Sequence, residues 1–291
     1  MKMIKPTAFA ILAICFASAT ATAQEPVSLK WKFKTGSKIA VEMNQSMDMT
    51  MNLNGQNNTS KTVNKSWMTW EVKGVKDGVA EMDTRIERMK IDVETAGIKM
   101  GVDTDVPAGT DGQDPTMGKM VRGIVGVKLM QSMNSNGKIV SMVVPDEIKK
   151  MMGPAGGEMV ESLSRNGSLE FPAEPLTVGK SWKVDFTSPS PAGKMKLNNT
   201  YTYRGTQQRS GSKLHAFEVD IKMEFVKGAG PVSISITNQN TKGVMYFDAE
   251  KGRLAESIVN QDVEMLVEAQ GQKMQQSLKS KAEIKFTDSG S

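Results

Sequence analysis

Apolar and polar residues alternate along most of this chain. Residues Val41 to Leu53 read V-E-M-N-Q-S-M-D-M-T-M-N-L. Side chains on a strand point to opposite faces with period two. One face of this segment therefore carries Val41, Met43, Gln45, Met47, Met49, Met51 and Leu53, and the other carries Glu42, Asn44, Ser46, Asp48, Thr50 and Asn52. The same period recurs downstream. Met68, Trp70 and Val72 share a face, while Trp67 falls on the opposite one. After the turn Lys76-Asp77-Gly78, the next strand directs Ala80, Met82 and Ile86 inward. The apolar set then moves to Met89, Ile91 and Val93, so the parity flips and a β-bulge is expected between Ile86 and Met89. Asn136-Gly137 predicts a hairpin between Leu129–Met133 and Ile139–Val144.

The second half is more regular. Met195, Leu197, Tyr201 and Tyr203 share parity, as do Phe217, Val219, Ile221, Met223 and Phe225. Val232, Ile234 and Ile236 open a strand running to Phe247, and Val259, Val263, Met265 and Val267 follow the Glu250-Lys251-Gly252 turn. Met274, Leu278, Ala282, Ile284 and Phe286 close the pattern. Long strands joined by short hairpins predict an all-β fold, an antiparallel meander curved into an open or half barrel. Two stretches interrupt it. Residues 96–120, rich in Gly, Asp, Thr and Pro, read as a long loop. Residues 145–165 read as a short helical insertion. There Pro145 suits a first helical turn, Asp146 and Glu147 favour the N-terminal dipole, and 153–157 breaks the run in two. Ile148, Met151 and Met152 form the inward stripe of the first helix, and Met159, Val160 and Leu163 that of the second. The chain reads as one β-rich domain, 24–291, in which weak similarities between 28–144 and 168–287 suggest two pseudo-repeats flanking the helical pair.

The N-terminus changes the setting. Lys2 and Lys5 precede an apolar run from Ala8 to Ala19, followed by Ala21-Thr22-Ala23. This is a signal-peptide pattern over residues 1–23, with cleavage expected before Gln24. Cys15, the chain's one cysteine, lies inside that run, so the mature chain would hold no disulfide and no cysteine ligand or nucleophile. An exported chain of this size without disulfides fits the periplasm of a Gram-negative-type bacterium. No later apolar stretch is long enough to span a membrane as a helix. The formal charge of +5 falls to +3 without Lys2 and Lys5, and it is spread along the chain with no interleaved aromatics, which argues against nucleic acid.

Candidate chemistry is sparse. A single histidine, His215, excludes a His-rich zinc site, and no G-x-S-x-G elbow accompanies it. Residues 153–157 lack the ending of a phosphate loop. Glu81, Asp83, Arg85 and Glu87 read as a solvated, salt-bridged face. No catalytic residue, cofactor or metal ligand is therefore assigned, and a non-enzymatic role is expected. The 23 methionines carry the remaining signal. Thioethers fill irregular cores, suit adaptable apolar binding surfaces, or ligate Cu(I). Along a strand, Met47, Met49 and Met51 stand roughly 6.6 Å apart in succession, too wide for one metal without a kink or a cross-strand ligand. The candidate ligand-binding residues are Met43, Met47, Met49, Met51, Met68 and Met82. The candidate partner is an apolar small molecule or a lipidated protein, the alternatives being a structural or adhesive envelope protein and a Cu(I)-binding one.

The signal peptide, Lys32-Phe33-Lys34-Thr35-Gly36 and Pro175-Leu176-Thr177-Val178-Gly179-Lys180-Ser181-Trp182, together with the alternating hairpins around them, resemble a family of uncharacterised exported bacterial β-rich proteins. The resemblance implies a fold and a location but no activity. In layout alone the chain is also similar to the periplasmic lipoprotein carriers, open β-barrels with a helical plug.

Overall fold

Asp77 (φ 51°) and Gly78 (φ 75°) both adopt left-handed backbone, the conformation a two-residue hairpin turn requires. They join β2 (Gln56–Lys76) to β3 (Val79–Thr95). The computed structural model describes residues 25–53, 55–109, 115–152, 156–190, 193–228, 230, 232–269 and 271–289; the expected signal peptide lies outside them. β1 (Lys38–Leu53) precedes this hairpin. It is followed by β4 (Ile98–Asp103), α1 (Pro115–Arg122), β5 (Lys128–Asn134), β6 (Ile139–Val143), α2 (Asp146–Met152) and α3 (Gly156–Asn166). The second half supplies β7 (Ser181–Ser190), β8 (Gly193–Arg209), β9 (Ser212–Lys227), β10 (Val232–Asp248), β11 (Arg253–Ala269) and β12 (Gln272–Asp288).

All twelve strands form one antiparallel sheet in the order β6-β5-β3-β2-β1-β12-β11-β10-β9-β8-β7, with β4 added to β3. The two chain ends meet in its middle, where β1 pairs with β12 from Ile39–Asp288 to Leu53–Met274. The sheet is an open meander. Among the described residues no ladder joins its edges, β6 and β7. The predicted bulge is present. Arg88 pairs with Trp67 and Ile86 with Met68, leaving Glu87 as the extra residue. It preserves inward parity for Ile86 and Met89 on either side of the bend.

The stretch expected to be a long loop holds β4 and most of α1. Ala96 (φ 51°) and Gly97 (φ 79°) turn the chain into β4, which pairs with β3 from Thr95–Ile98 to Lys90–Asp103. Ala-Gly is a weaker turn signal than Asn-Gly, and the chain's polarity hid the strand. Val102 and Val121 are buried where α1 meets β4, and Arg122 donates to the carbonyls of Asp103, Thr104 and Val106. Of the break expected at 153–157, residues 153–155 lie outside the described residues while Gly156 and Gly157 already belong to α3, and Ile148 is buried. The side chains of Met151, Met152, Met159 and Leu163 lie outside the described residues.

One end of the curved sheet is filled. Val41, Val72, Met82, Met133, Tyr201, Tyr203, Phe217, Met245, Phe247, Leu254 and Phe286 converge from nine strands around Leu29, Trp31, Leu169, Phe171 and Leu176. These last five lie outside the strands. The N-terminal segment is pinned by Trp31 N donating to Ser135 O, Lys32 N to Gly252 O, and the Trp31 indole to Leu169 O. Residues 168–171 bridge the two sheet edges at this end. Phe171 N donates to Asn136 O, and the Trp182 indole donates to Glu170 O.

Candidate functional site

The ladders show which side chains share the concave face beyond this core. Moving away from the filled end, successive rows run Ser66–Met43–Ile284–Ser257–Met245 and Asn64–Gln45–Ala282–Val259–Gly243. Next come Thr62–Met47–Ser280–Gln261–Thr241, then Ser60–Met49–Leu278–Val263–Gln239, then Asn58–Met51–Gln276–Met265–Ile236. Met89, Ile91, Val93 and Met100 extend these rows on one flank. Ile221, Met223, Phe225, Leu197 and Met195 extend them on the other. Every charged residue on β1, β2, β10, β11 and β12 in this half lies on the convex face, as Asp48–Lys279–Asp262 does beside Met47 and Met49, while Lys227 at the end of β9 shares the parity of Phe225.

This outer half is a trough covered less completely than the core, although Val263 in the Met49 row is buried. Met43, Met47, Met49 and Met51 are all half-buried, as are Leu278, Met274, Met265, Ile234 and Ile236. By contrast Met82 is 2 % exposed and belongs to the core. Met68 is half-buried and packs against that core. The six methionines named from the sequence thus divide: four line the open trough, one borders it and one is structural. Parity alone could not separate them, because the boundary between filled and open halves is set by segments 27–33 and 169–176, which follow no strand period.

The trough wall has one break. β9 and β10 pair only from Lys242–Asp220 to Phe247–His215, although both strands continue towards their shared turn. Beyond the last rung the Gln239 side chain substitutes for a strand. Met223 N donates to its Oε1 at 2.8 Å, and its Nε2 donates to Met223 O at 3.0 Å. Two further amides reach sulfur: Gln276 Nε2 lies 2.9 Å from Met49 Sδ and Gln261 Nε2 lies 3.6 Å from Met223 Sδ. Ser280 Oγ donates to Gln261 Oε1 at 3.2 Å.

Other candidate chemistry is dispersed. No methionine stands directly across from Met47, Met49 or Met51; their neighbours are Thr62 and Ser280, Ser60 and Leu278, and Asn58 and Gln276. A copper site on this strand would lack a cross-strand thioether. Among the described residues no three His, Cys, Asp or Glu side chains converge. His215 stands half-buried at the filled end, stacked on Tyr203 with its Nδ1 2.8 Å from the Tyr203 hydroxyl. Burial, and then Lys213, hold its pKa below the usual histidine value. Tyr201, deeper in the core, is pushed up to about 12 by burial. A groove of about 650 Å³ on the convex side of β2, β3 and β4 is lined by Lys61, Lys90, Asp92, Glu94 and Lys99. Lys90 pairs with Asp92 and Lys99 with Glu94, so this groove favours neither sign of charge.

No protein-family model and no curated protein matches the chain. Among solved structures, "Lipid-protein interactions in lipovitellin" matches 89 % of this chain at 9 % identity with a TM-score of 0.52. The present chain spans 26 % of that one's length, and the likeness is one of fold alone. The hypothetical lipoprotein YmcC from Escherichia coli (K12) aligns over 83 % of this chain and 86 % of its own at 9 % identity, with a TM-score of 0.27. A DUF1329 family protein from Desulfovibrio piger aligns over 85 % of each chain at 12 % identity, with a TM-score of 0.14. The last two are too distant to argue from. Among the described residues no helix is long and apolar enough to cross a membrane.

Proposed function

We propose that this is a non-enzymatic protein of the bacterial envelope that holds an apolar ligand, a lipid or the acyl chains of a lipidated peptide, in the open half of its concave face. The observation that carries this reading is the row of Met43, Met47, Met49 and Met51, only half-buried beside Leu278 and Met265 on strands whose concave positions carry no charge. Contiguous apolar surface of this kind marks binding sites in soluble proteins. Unbranched thioethers accommodate chains of different shape because they change rotamer easily. The signal-peptide pattern supports an envelope location. The sheet shared with the structure called "Lipid-protein interactions in lipovitellin" is compatible with a lipid ligand.

Titration of the mature chain with a fluorescent acyl lipid tests the reading. Saturable enhancement, displaced by unlabelled lipid and weakened by Met47→Glu or Met49→Glu, is expected. A signal unchanged by both substitutions in folded protein would refute it.

A further inference from the structure

The concave face is not uniformly apolar. Between the filled core and the outer methionines runs a belt of uncharged hydrogen-bonding side chains: Asn64, Gln45, Ser280, Gln261 and Thr241, with Ser66 at its inner margin. They come from five different strands, and the ladders set them in neighbouring rows. Several of their atoms are unsatisfied. Asn64 Oδ1, Ser66 Oγ and Thr241 Oγ1 are buried without a hydrogen-bond partner among the described residues. Ser66 is 2 % exposed and Thr241 6 %. Buried polar atoms are nearly always paired, so three orphans in one belt require a reason.

Charge narrows what could complete them. The five strands of the belt place no Asp, Glu, Lys or Arg on the concave face from the Met43 row outward, and Lys227, at concave parity on β9, stands at the far end of that strand beyond Met223 and Phe225. Of the two cations of α1 beside β4, Lys119 is exposed and Arg122 is occupied by the carbonyls of Asp103, Thr104 and Val106. A carboxylate or phosphate drawn to the belt would lose its water and meet no cation, a large penalty. Ester carbonyls suffer no such penalty and accept from the Ser66 and Thr241 hydroxyls and from the side-chain amides. A free hydroxyl would donate to Asn64 Oδ1.

We infer that the belt recognises the neutral polar segment of an acylglycerol, its ester carbonyls and hydroxyl, while the acyl chains extend over Met47, Met49 and Met51 towards the open end. This rests on the proposed apolar-ligand reading and adds the chemical class of the ligand. It makes the trough selective against amphiphiles whose charged head must enter it.

The experiment compares three probes on the mature chain at pH 8: a fluorescent diacylglycerol, a fatty acid bearing the same fluorophore, and the hydrocarbon probe diphenylhexatriene. Binding of diacylglycerol about tenfold or more tighter than the fatty acid is expected. Thr241→Val and Gln45→Leu should each lower the affinity for diacylglycerol relative to that for diphenylhexatriene by about 2- to 10-fold, the range of one hydrogen bond. Circular dichroism confirms that each variant is folded, and Ser280→Ala provides a milder change at the same belt. Equal or tighter binding of the fatty acid, or diacylglycerol affinity indifferent to all three substitutions, would overturn the inference while leaving the apolar-ligand reading standing. Failure of all three probes to bind would remove both.

Discussion

Gln239 completes β9 in place of a neighbouring strand: its side-chain amide accepts from Met223 N and donates to Met223 O where the β9–β10 ladder has already ended. The backbone of Met223 is thereby paired through two bonds from one side chain. Gln239→Ala should cost about 1–3 kcal/mol, since two backbone groups lose their partner. Amide exchange at Met223 should speed up well before exchange at Val219, which keeps a backbone partner on β10. Equal protection of both amides in the variant would show that the wall does not depend on Gln239.

The two kinds of methionine should respond differently to truncation. Met82 is enclosed by the core, so Met82→Ala should destabilise by about 2–5 kcal/mol. Met49 is only half-buried on the trough, and Met49→Ala should cost under about 1 kcal/mol. Denaturant unfolding of both variants decides this. A Met49→Ala loss as large as that of Met82→Ala would mean the trough is packed like the core.

Gly137 is a sharper structural test. Its φ is +92°, and a Cβ there would lie 2.2 Å from Leu169 O and 2.4 Å from Trp31 Nε1. Gly137→Ala must strain the backbone and push apart the Trp31–Leu169 contact that plugs the filled end. A loss of about 2–4 kcal/mol is expected, combining left-handed strain with the displaced contact. An unchanged unfolding midpoint would contradict the plug.

The alternation of residues made strand directions, the Glu87 bulge and the Asp77-Gly78 turn readable in advance, because each depends on a local period or a local turn. The pairing of β1 with β12 was not readable. It joins residues such as Val41 and Phe286 that share no local signal. Nor was the plug, since Leu29, Trp31, Leu169 and Phe171 lie outside any strand. For the same reason Met82 and Met49 looked equivalent: parity assigns a face, and only tertiary packing says what covers it. The hydrogen-bonding belt was hidden in plain sequence, because Gln45, Asn64 and Thr241 meet only through long-range register.

Stability should depend on pH through His215. Its pKa is lowered in the folded chain, so between that value and about 6.5, the unfolded value, the unfolded state binds more protons. Stability therefore falls as pH drops below about 6.5 and levels off beneath the folded pKa. His215→Gln should flatten this part of the pH profile relative to the parent, measured by urea unfolding from pH 8 to 5. Carboxylates such as Asp103, held low mainly by its hydrogen bond from Arg88, lose their contribution only in more acidic solution. Parallel profiles for parent and variant would contradict the assignment.

The central claim is that the outer half of the concave face is open to an apolar ligand while the inner half is filled. Methyl NMR of the methionine side chains, recorded during titration with diacylglycerol, tests this most directly. The account predicts saturable shifts at Met47, Met49 and Met51 with Met82 and Met133 unmoved. Shifts absent from these three, or confined to the exposed Met120 and Met130, would contradict it.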